Sequence, residues 1–380
     1  MIAYNRKDLD NRLILRDVDA AWQKKCITEE ERRAVRAAYP VKLYTPNPFI
    51  RIGLFIGTIV AALGAFGLFL AGTHDEDVLT MLIFFFSIVY YAMLEMFVQH
   101  KHHFRSGVDD ALIWLSGIYF ITGFLAATEL DLDEIWIYLL VLLTGTCFTL
   151  RFVNMLTGAA AFIGLTGMVL YTAVRLGSTA QAFVPFFIMG LSLMVYLASA
   201  RLLKQQRFRH YFPCLELLSL LALIMLYAGG NYFVVRELGS AMFGMEMRLE
   251  WLFWLFTAAI PVIYLYLGIR RKNAMLLRTG LLLMAVAAFT IRHYHQILSP
   301  ELAMVSGGAA MIAVAWYLTR YLREPKQGFT KESDDEPEAI EKLQIESLVI
   351  AETLQDAPQP PKGFRFGGGT GGGAGAGGDF

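Results

Sequence analysis

Charge is what this chain has least of. Asp, Glu, Lys and Arg make up 17% of the 380 residues against 56% hydrophobic, where an ordinary soluble domain carries about 25% charged residues. That shortage excludes a conventional water-soluble globule. Cysteine is almost as scarce: Cys26, Cys147 and Cys214 lie far apart and form no C-x-x-C pair, which argues against a disulfide framework or a zinc site. Cys147 and Cys214 fall inside apolar runs, where the side chain serves as a small hydrophobe. No G-x-x-x-x-G-K-S/T, H-E-x-x-H, G-x-S-x-G or dinucleotide fingerprint occurs, so the common phosphate, metalloprotease and hydrolase signatures are missing. No segment is basic and aromatic enough to suggest nucleic acid as a partner. No cofactor is indicated, and the lack of a reactive constellation weighs against an enzyme.

What is present is apolar and long. Mean hydropathy is +0.48, and ten runs can be drawn: 49–72, 78–98, 108–128, 133–150, 155–174, 181–200, 212–230, 250–269, 274–291 and 301–319. About 20 apolar residues at about 1.5 Å rise match a hydrocarbon layer of about 30 Å. Ten such runs with polar breaks predict an all-α, polytopic transmembrane bundle, 49–321, whose first partner is the lipid bilayer. Short links predict that successive helices pack as antiparallel hairpins. With the N-terminus on the cytoplasmic side, the inner loops hold ten basic residues (among them Lys101, Arg105, Arg151, Arg209 and Arg270) and the outer loops four. That bias sets both termini in the cytoplasm, and a bacterial inner membrane is the expected location. The first span is expected to act as an uncleaved targeting signal, since 48 residues precede it.

Residues 1–48 read as a cytoplasmic helical hairpin and linker. Leu13, Leu15, Val18, Ala21 and Trp22 recur at roughly helical spacing. Thr28 with Glu31 forms a capping-box signature for a second helix, which Pro40 ends. The stretch Ala20-Ala21-Trp22-Gln23-Lys24-Lys25-Cys26-Ile27-Thr28-Glu29-Glu30-Glu31, followed by a Pro-bounded link and paired spans, resembles a bacterial family of uncharacterised multi-spanning membrane proteins with a short cytoplasmic helical hairpin. Cys26 stands where that family usually has glycine. The resemblance implies the layout and no catalytic residue.

Residues 322–380 form an acidic tail, with six basic against eleven acidic residues. An amphipathic helix is expected at about 338–355. The end, with nine glycines between Gly367 and Gly378, is expected to be disordered. The hairpin and the tail are the expected docking places for protein partners.

Within the spans, Gly53, Gly57, Ala61 and Ala65 recur at every fourth position. Such a stripe predicts a close helix–helix seam, inside one chain or in a homo-oligomer. Pro261 predicts a kink. Residues 231–248 mix aromatic, apolar and charged residues and read as a surface segment capping the bundle. Charged residues inside a bilayer mark function, and few occur. Glu95 and Glu216 share one depth with His210 and Arg151 and are the candidate polar or proton cluster. His100 and His103 would share a face if the second span continued past Gln99, which makes them weak candidate metal ligands. Asp109 and Asp110 read as exposed carboxylates at a helix start. Asn154 and Arg278 read as ordinary interfacial residues. The sequence favours a structural or sensory membrane scaffold acting through its appendages, with a small-solute or ion transporter using inner-leaflet carboxylates as the alternative and a membrane-embedded enzyme third.

Overall fold

A computed structural model describes residues 2–72, 75–128, 133–243 and 249–295, together with the isolated positions 309, 312, 316 and 320. Twelve α-helices fill the described residues: α1 (Arg6–Gln23), α2 (Glu29–Ala38), α3 (Pro48–Leu70), α4 (Glu76–Gln99), α5 (Val108–Ala127), α6 (Glu134–Phe152), α7 (Met155–Arg175), α8 (Ser178–Leu202), α9 (Phe212–Gly230), α10 (Tyr232–Phe243), α11 (Glu250–Arg271) and α12 (Ala274–His295). A 3-10 turn, Gln206–Tyr211, leads into α9. Nine of the described helices are long and apolar enough to cross a membrane, so the chain is an all-α multi-pass membrane protein. The tenth drawn span (301–319) is described only at positions 309, 312 and 316, and the amphipathic helix at 338–355 and the glycine-rich end lie outside the described residues.

Hairpins dominate the packing. α4 lies against α5, α6 against α7, α8 against α9 and α11 against α12, while α9 also touches α7, α11 and α12. One core joins Phe86, Tyr90, Leu94 and Val98 of α4 to Leu112 and Leu115 of α5, and extends to Tyr4 and Leu9 of the N-terminal segment. A second joins Leu223 and Tyr227 of α9 to Ile260 and Tyr264 of α11 and Leu276 and Leu283 of α12. Without water in the membrane, interior polar groups must find protein partners. Tyr90 accordingly donates to the Ala62 carbonyl at 2.8 Å, and Ser87 to that of Ser116 at 3.0 Å.

Helix starts follow local chemistry. The Thr28 side chain accepts from the Glu31 amide while the Glu31 carboxylate accepts from the Thr28 amide, so the capping box forms as its spacing demands. Asn47 caps α3, with Pro48 at its first position. α11 runs on through Pro261. The surface segment expected at 231–248 is helical through Phe243, and α10 packs on α8, α9 and α11. Its remainder, 244–248, lies outside the described residues.

Within one chain, among the described residues, the stripe on α3 forms no seam. Gly53, Gly57, Ala61 and Ala65 are all exposed, and α3 buries only Ala62. A side-chain carbon on Gly53 or Gly57 would meet nothing within 4 Å. The tight seam is between α6 and α7. A Cβ at Gly145 would stand 2.7 Å from the Thr157 carbonyl oxygen, and one at Gly164 2.8 Å from that of Tyr138. Small-residue spacing reveals that a backbone can approach, and the neighbouring helix decides whether one does.

Gly145→Ala and Gly164→Ala should each destabilise the detergent-solubilised protein by about 1–3 kcal/mol, since backbone atoms must move. Gly53→Ala should be neutral or stabilising by up to about 1 kcal/mol. Thermal unfolding followed by tryptophan fluorescence separates the two; equal effects at Gly53 and Gly145 would contradict the packing.

Candidate functional site

Backbone geometry at the start of α5 builds the polar centre of the molecule. α4 stops at Gln99, and the chain turns through His102 (φ 55°), Arg105 (φ 51°) and Gly107 (φ 94°) before α5 begins. Glycine is required at 107: a Cβ there would lie 2.1 Å from the Arg51 carbonyl oxygen, besides the strained φ. This loop is held to the linker before α3. The Tyr44 amide donates to the His102 carbonyl at 2.9 Å, and the Phe104 amide to the Tyr44 carbonyl at 3.1 Å.

Asp109 and Asp110 follow at once, and neither is exposed as the sequence suggested; they are 1% and 9% accessible. The correction has a clear cause. The N-terminal segment and the linker cover the start of α5, so these carboxylates face protein rather than water. Asp109 Oδ1 accepts from the Ser106 amide (2.8 Å) and hydroxyl (3.0 Å), and Oδ2 from the Arg105 amide (2.7 Å) and, weakly, the Tyr4 hydroxyl (3.4 Å). Asp110 Oδ2 takes Arg51 Nη2 at 2.7 Å and Nε at 3.1 Å, while Oδ1 takes Asn154 Nδ2 at 3.0 Å. Asn154 is therefore more than an interfacial residue. Its own oxygen caps α7 through the Leu156 and Thr157 amides, so Asp110 ties the starts of α3, α5 and α7 together.

Burial first, then the neighbouring Asp109 and Asp110, pushes the Tyr4 hydroxyl well above its ordinary pKa, with Arg105 pulling the other way. His103 Nδ1 lies 2.7 Å from Ser106 Oγ. Since an ionised Asp109 only accepts, Ser106 donates to it, and His103 donates Nδ1–H to Ser106. Histidine, serine and aspartate thus meet, but in the wrong sense for a nucleophile: the serine proton points at the carboxylate rather than the imidazole. Ser106 is fully buried, which closes it to substrate.

The sequence-selected residues separate into groups. Glu95 and Arg151 meet in a two-pronged ion pair, Nε–Oε1 2.9 Å and Nη2–Oε2 3.0 Å, and Glu95 also accepts from Tyr91 at 3.0 Å and from Gln99. The Arg151 carbonyl accepts the Ala3 amide at 2.8 Å. His210 lies elsewhere, its Nε2 3.1 Å from Asp10 Oδ1 at an angle too poor for a hydrogen bond, while Arg209 Nη2 pairs with Asp10 Oδ2 at 2.7 Å. Glu216 is exposed and pairs with neither group. The four do not make one cluster. His100 and His103 do not share a helical face either, because α4 has already ended: His100 is exposed and His103 packs on Tyr44 and Phe97. Among the described residues no group of three or more His, Cys, Asp or Glu is placed to hold a metal ion.

At the opposite end of the bundle, a cleft of about 470 Å³ opens between α6 and α7, lined by Asp133, Glu134, Tyr138, Tyr171 and Arg175. Asp133 and Arg175 already pair with each other across it. No family model, no curated protein and no solved structure matches the chain.

Every group facing Asp109 is a donor, so Asp109→Asn sets an amide against another N–H or O–H and should cost about 2 kcal/mol or more, read as a lower unfolding midpoint. A second expectation concerns pH. Burial lowers the His103 pKa, with Asp109 opposing and Lys101 assisting. The unfolded chain therefore binds the proton first. The stability contribution is complete above about pH 6.5 and is lost as pH falls through the folded-state value. His103→Gln should flatten part of the drop in midpoint between about pH 7.5 and pH 5.5; an unchanged slope contradicts the assignment.

Proposed function

We propose that this chain is a structural or sensory membrane protein that works through its N-terminal hairpin, with the Asp109 end of the bundle in the cytoplasm of a bacterial cell. The supporting observation is the unequal use of the hairpin's two helices. α1 is fastened to the bundle: it buries Asp8, Leu9 and Asn11, pairs Asp10 with Arg209, and sends Asn11 Nδ2 to the Pro40 carbonyl at 2.8 Å. α2 buries nothing. It is held to α1, where Arg32 pairs with Asp19 at 2.8 Å and lies over Trp22, and Arg36 pairs with the same carboxylate. Burial pushes the Asp19 carboxyl up, but the hydrogen bonds from Arg32 and Arg36 outweigh it and leave the group below its ordinary value. A rigidly mounted helix with a free charged face suits recognition of a protein partner.

The concentration of Lys and Arg at this end supports the cytoplasmic assignment, and the hairpin layout supports membership of the uncharacterised family that the Trp22–Glu31 stretch resembles. The outward stripe on α3 offers a second copy a close backbone approach. Transport through the carboxylates has less support, since Glu95 already accepts from Arg151, Tyr91 and Gln99.

A photo-crosslinking residue at the exposed Ala34 of the full chain should capture a defined partner in cells. Combined Glu30→Lys and Arg33→Glu should reduce that capture at least about tenfold, the effect of about 1.4 kcal/mol, while loss of the exposed Arg33–Glu29 pair lowers stability only slightly. Solute or proton flux in reconstituted vesicles that Glu95→Gln or Glu216→Gln abolishes would instead establish a transporter.

A further inference from the structure

Several arginines at the Asp109 end are held in ion pairs. Arg51 is taken by Asp110, Arg151 by Glu95, Arg209 by Asp10 and Arg16 by Asp17. Arg12 and Arg105 flank one ring, and neither guanidinium has a carboxylate of the described residues within ion-pair distance, although Arg105 acts on Asp110 through space. Both lie over Phe104, with Cζ at 4.5 Å for Arg12 and 5.6 Å for Arg105 from the ring centroid. Phe104 is itself buried and packs edge-on against Tyr4 at 4.8 Å. Two half-buried cations therefore contact the same ring.

Like charges brought together out of water repel, and a desolvated cation without a counter-ion is costly. Burial, and then the neighbouring Arg105, Arg16 and Arg51, lowers the Arg12 pKa. The aromatic face offsets part of this, and an anion would offset more. Guanidinium forks present paired N–H donors that match the oxygens of a phosphoryl group. Depth selects the same chemistry. Phe104 and Arg105 sit between the end of α4 at Gln99 and the start of α5 at Val108, at the level where apolar span gives way to water and lipid phosphates lie.

We propose that Arg12 and Arg105, spread over Phe104, form a binding site for a phosphoryl group. Its source is either the headgroup of an anionic lipid or a soluble phosphate compound. The site fastens α1 to the loop before α5 whichever source fills it, independently of whether α2 recognises a protein.

The test uses the full chain in an uncharged alkyl maltoside, with thermal unfolding as readout. One arm adds sodium phosphate against sodium chloride at equal ionic strength; the other adds dihexanoyl phosphatidylglycerol against more maltoside. At least one should raise the midpoint by about 3 °C or more. A response to phosphate alone assigns a soluble ligand, to the lipid alone a headgroup, and to both a site open to either. Combined Arg12→Gln and Arg105→Gln should abolish the rise, and Arg207→Gln, an exposed cation at the same end, should keep it. If the double variant does not fold, Arg105→Lys keeps the charge without the fork and should weaken the titration about tenfold. No rise in either arm, an undiminished rise in the double variant, or an unchanged titration in Arg105→Lys would overturn the proposal.

Discussion

A carboxylate buried at the start of a membrane helix must be surrounded by donors, and Asp109 shows how much architecture that requirement dictates. Two of its donors are backbone amides of the loop just before it, which exist in the right place only because Arg105 and Gly107 adopt left-handed conformations. The third is a serine hydroxyl whose orientation fixes the histidine behind it. The fourth comes from Tyr4, a hundred residues away in sequence. An acceptor that can reach no water thus couples the loop shape, the histidine tautomer and the seat of the N-terminal segment. Asp110, one residue on, extends the same constraint to Arg51 on α3 and Asn154 at the head of α7.

This arrangement divides the molecule by task. In the middle of the bundle, helices meet through apolar side chains and through close backbone approach, as between Gly145 and Ala161; Ser87 and Tyr90 donate to carbonyls of a neighbouring helix, while the buried hydroxyls of Ser192, Ser219 and Thr279 find no partner among the described residues. At the basic end, specificity comes from ion pairs and capping. There the soluble appendage and the linker meet the starts of α3, α5 and α7 and the ends of α4 and α6. The consequence for function is positional: anything that moves α1 must disturb Asp109 or Asp10, and through them the ends of α5 and α9.

The nine spans among the described residues, their approximate boundaries and the capping box at Thr28 were legible in the sequence because each depends on residues close together in the chain. Apolar length marks the helices, and Thr28 and Glu31 sit three positions apart. The Glu95–Arg151 contact was foreseeable from shared depth. What escaped was whatever depends on a distant segment. Asp109 and Asp110 look like ordinary helix-start carboxylates until Tyr4, Arg51 and Asn154 are brought over them. Gly53 and Gly57 look like a seam, yet α3 lies at the edge of the bundle with that face outward. His100 and His103 were paired on the assumption of a continuing helix, which ends at Gln99. One signal was available: Gly107, two residues before the consecutive acids Asp109 and Asp110, marks a turn built around a carboxylate.

Hydrogen–deuterium exchange on the full chain in lipid nanodiscs tests the central claim most directly. If Asp109 holds the N-terminal segment and the loop together, amides of residues 3–12 and 103–111 are protected in the native protein and lose protection together in Asp109→Asn. Loss confined to the loop, with residues 3–12 exchanging as before, would contradict the account.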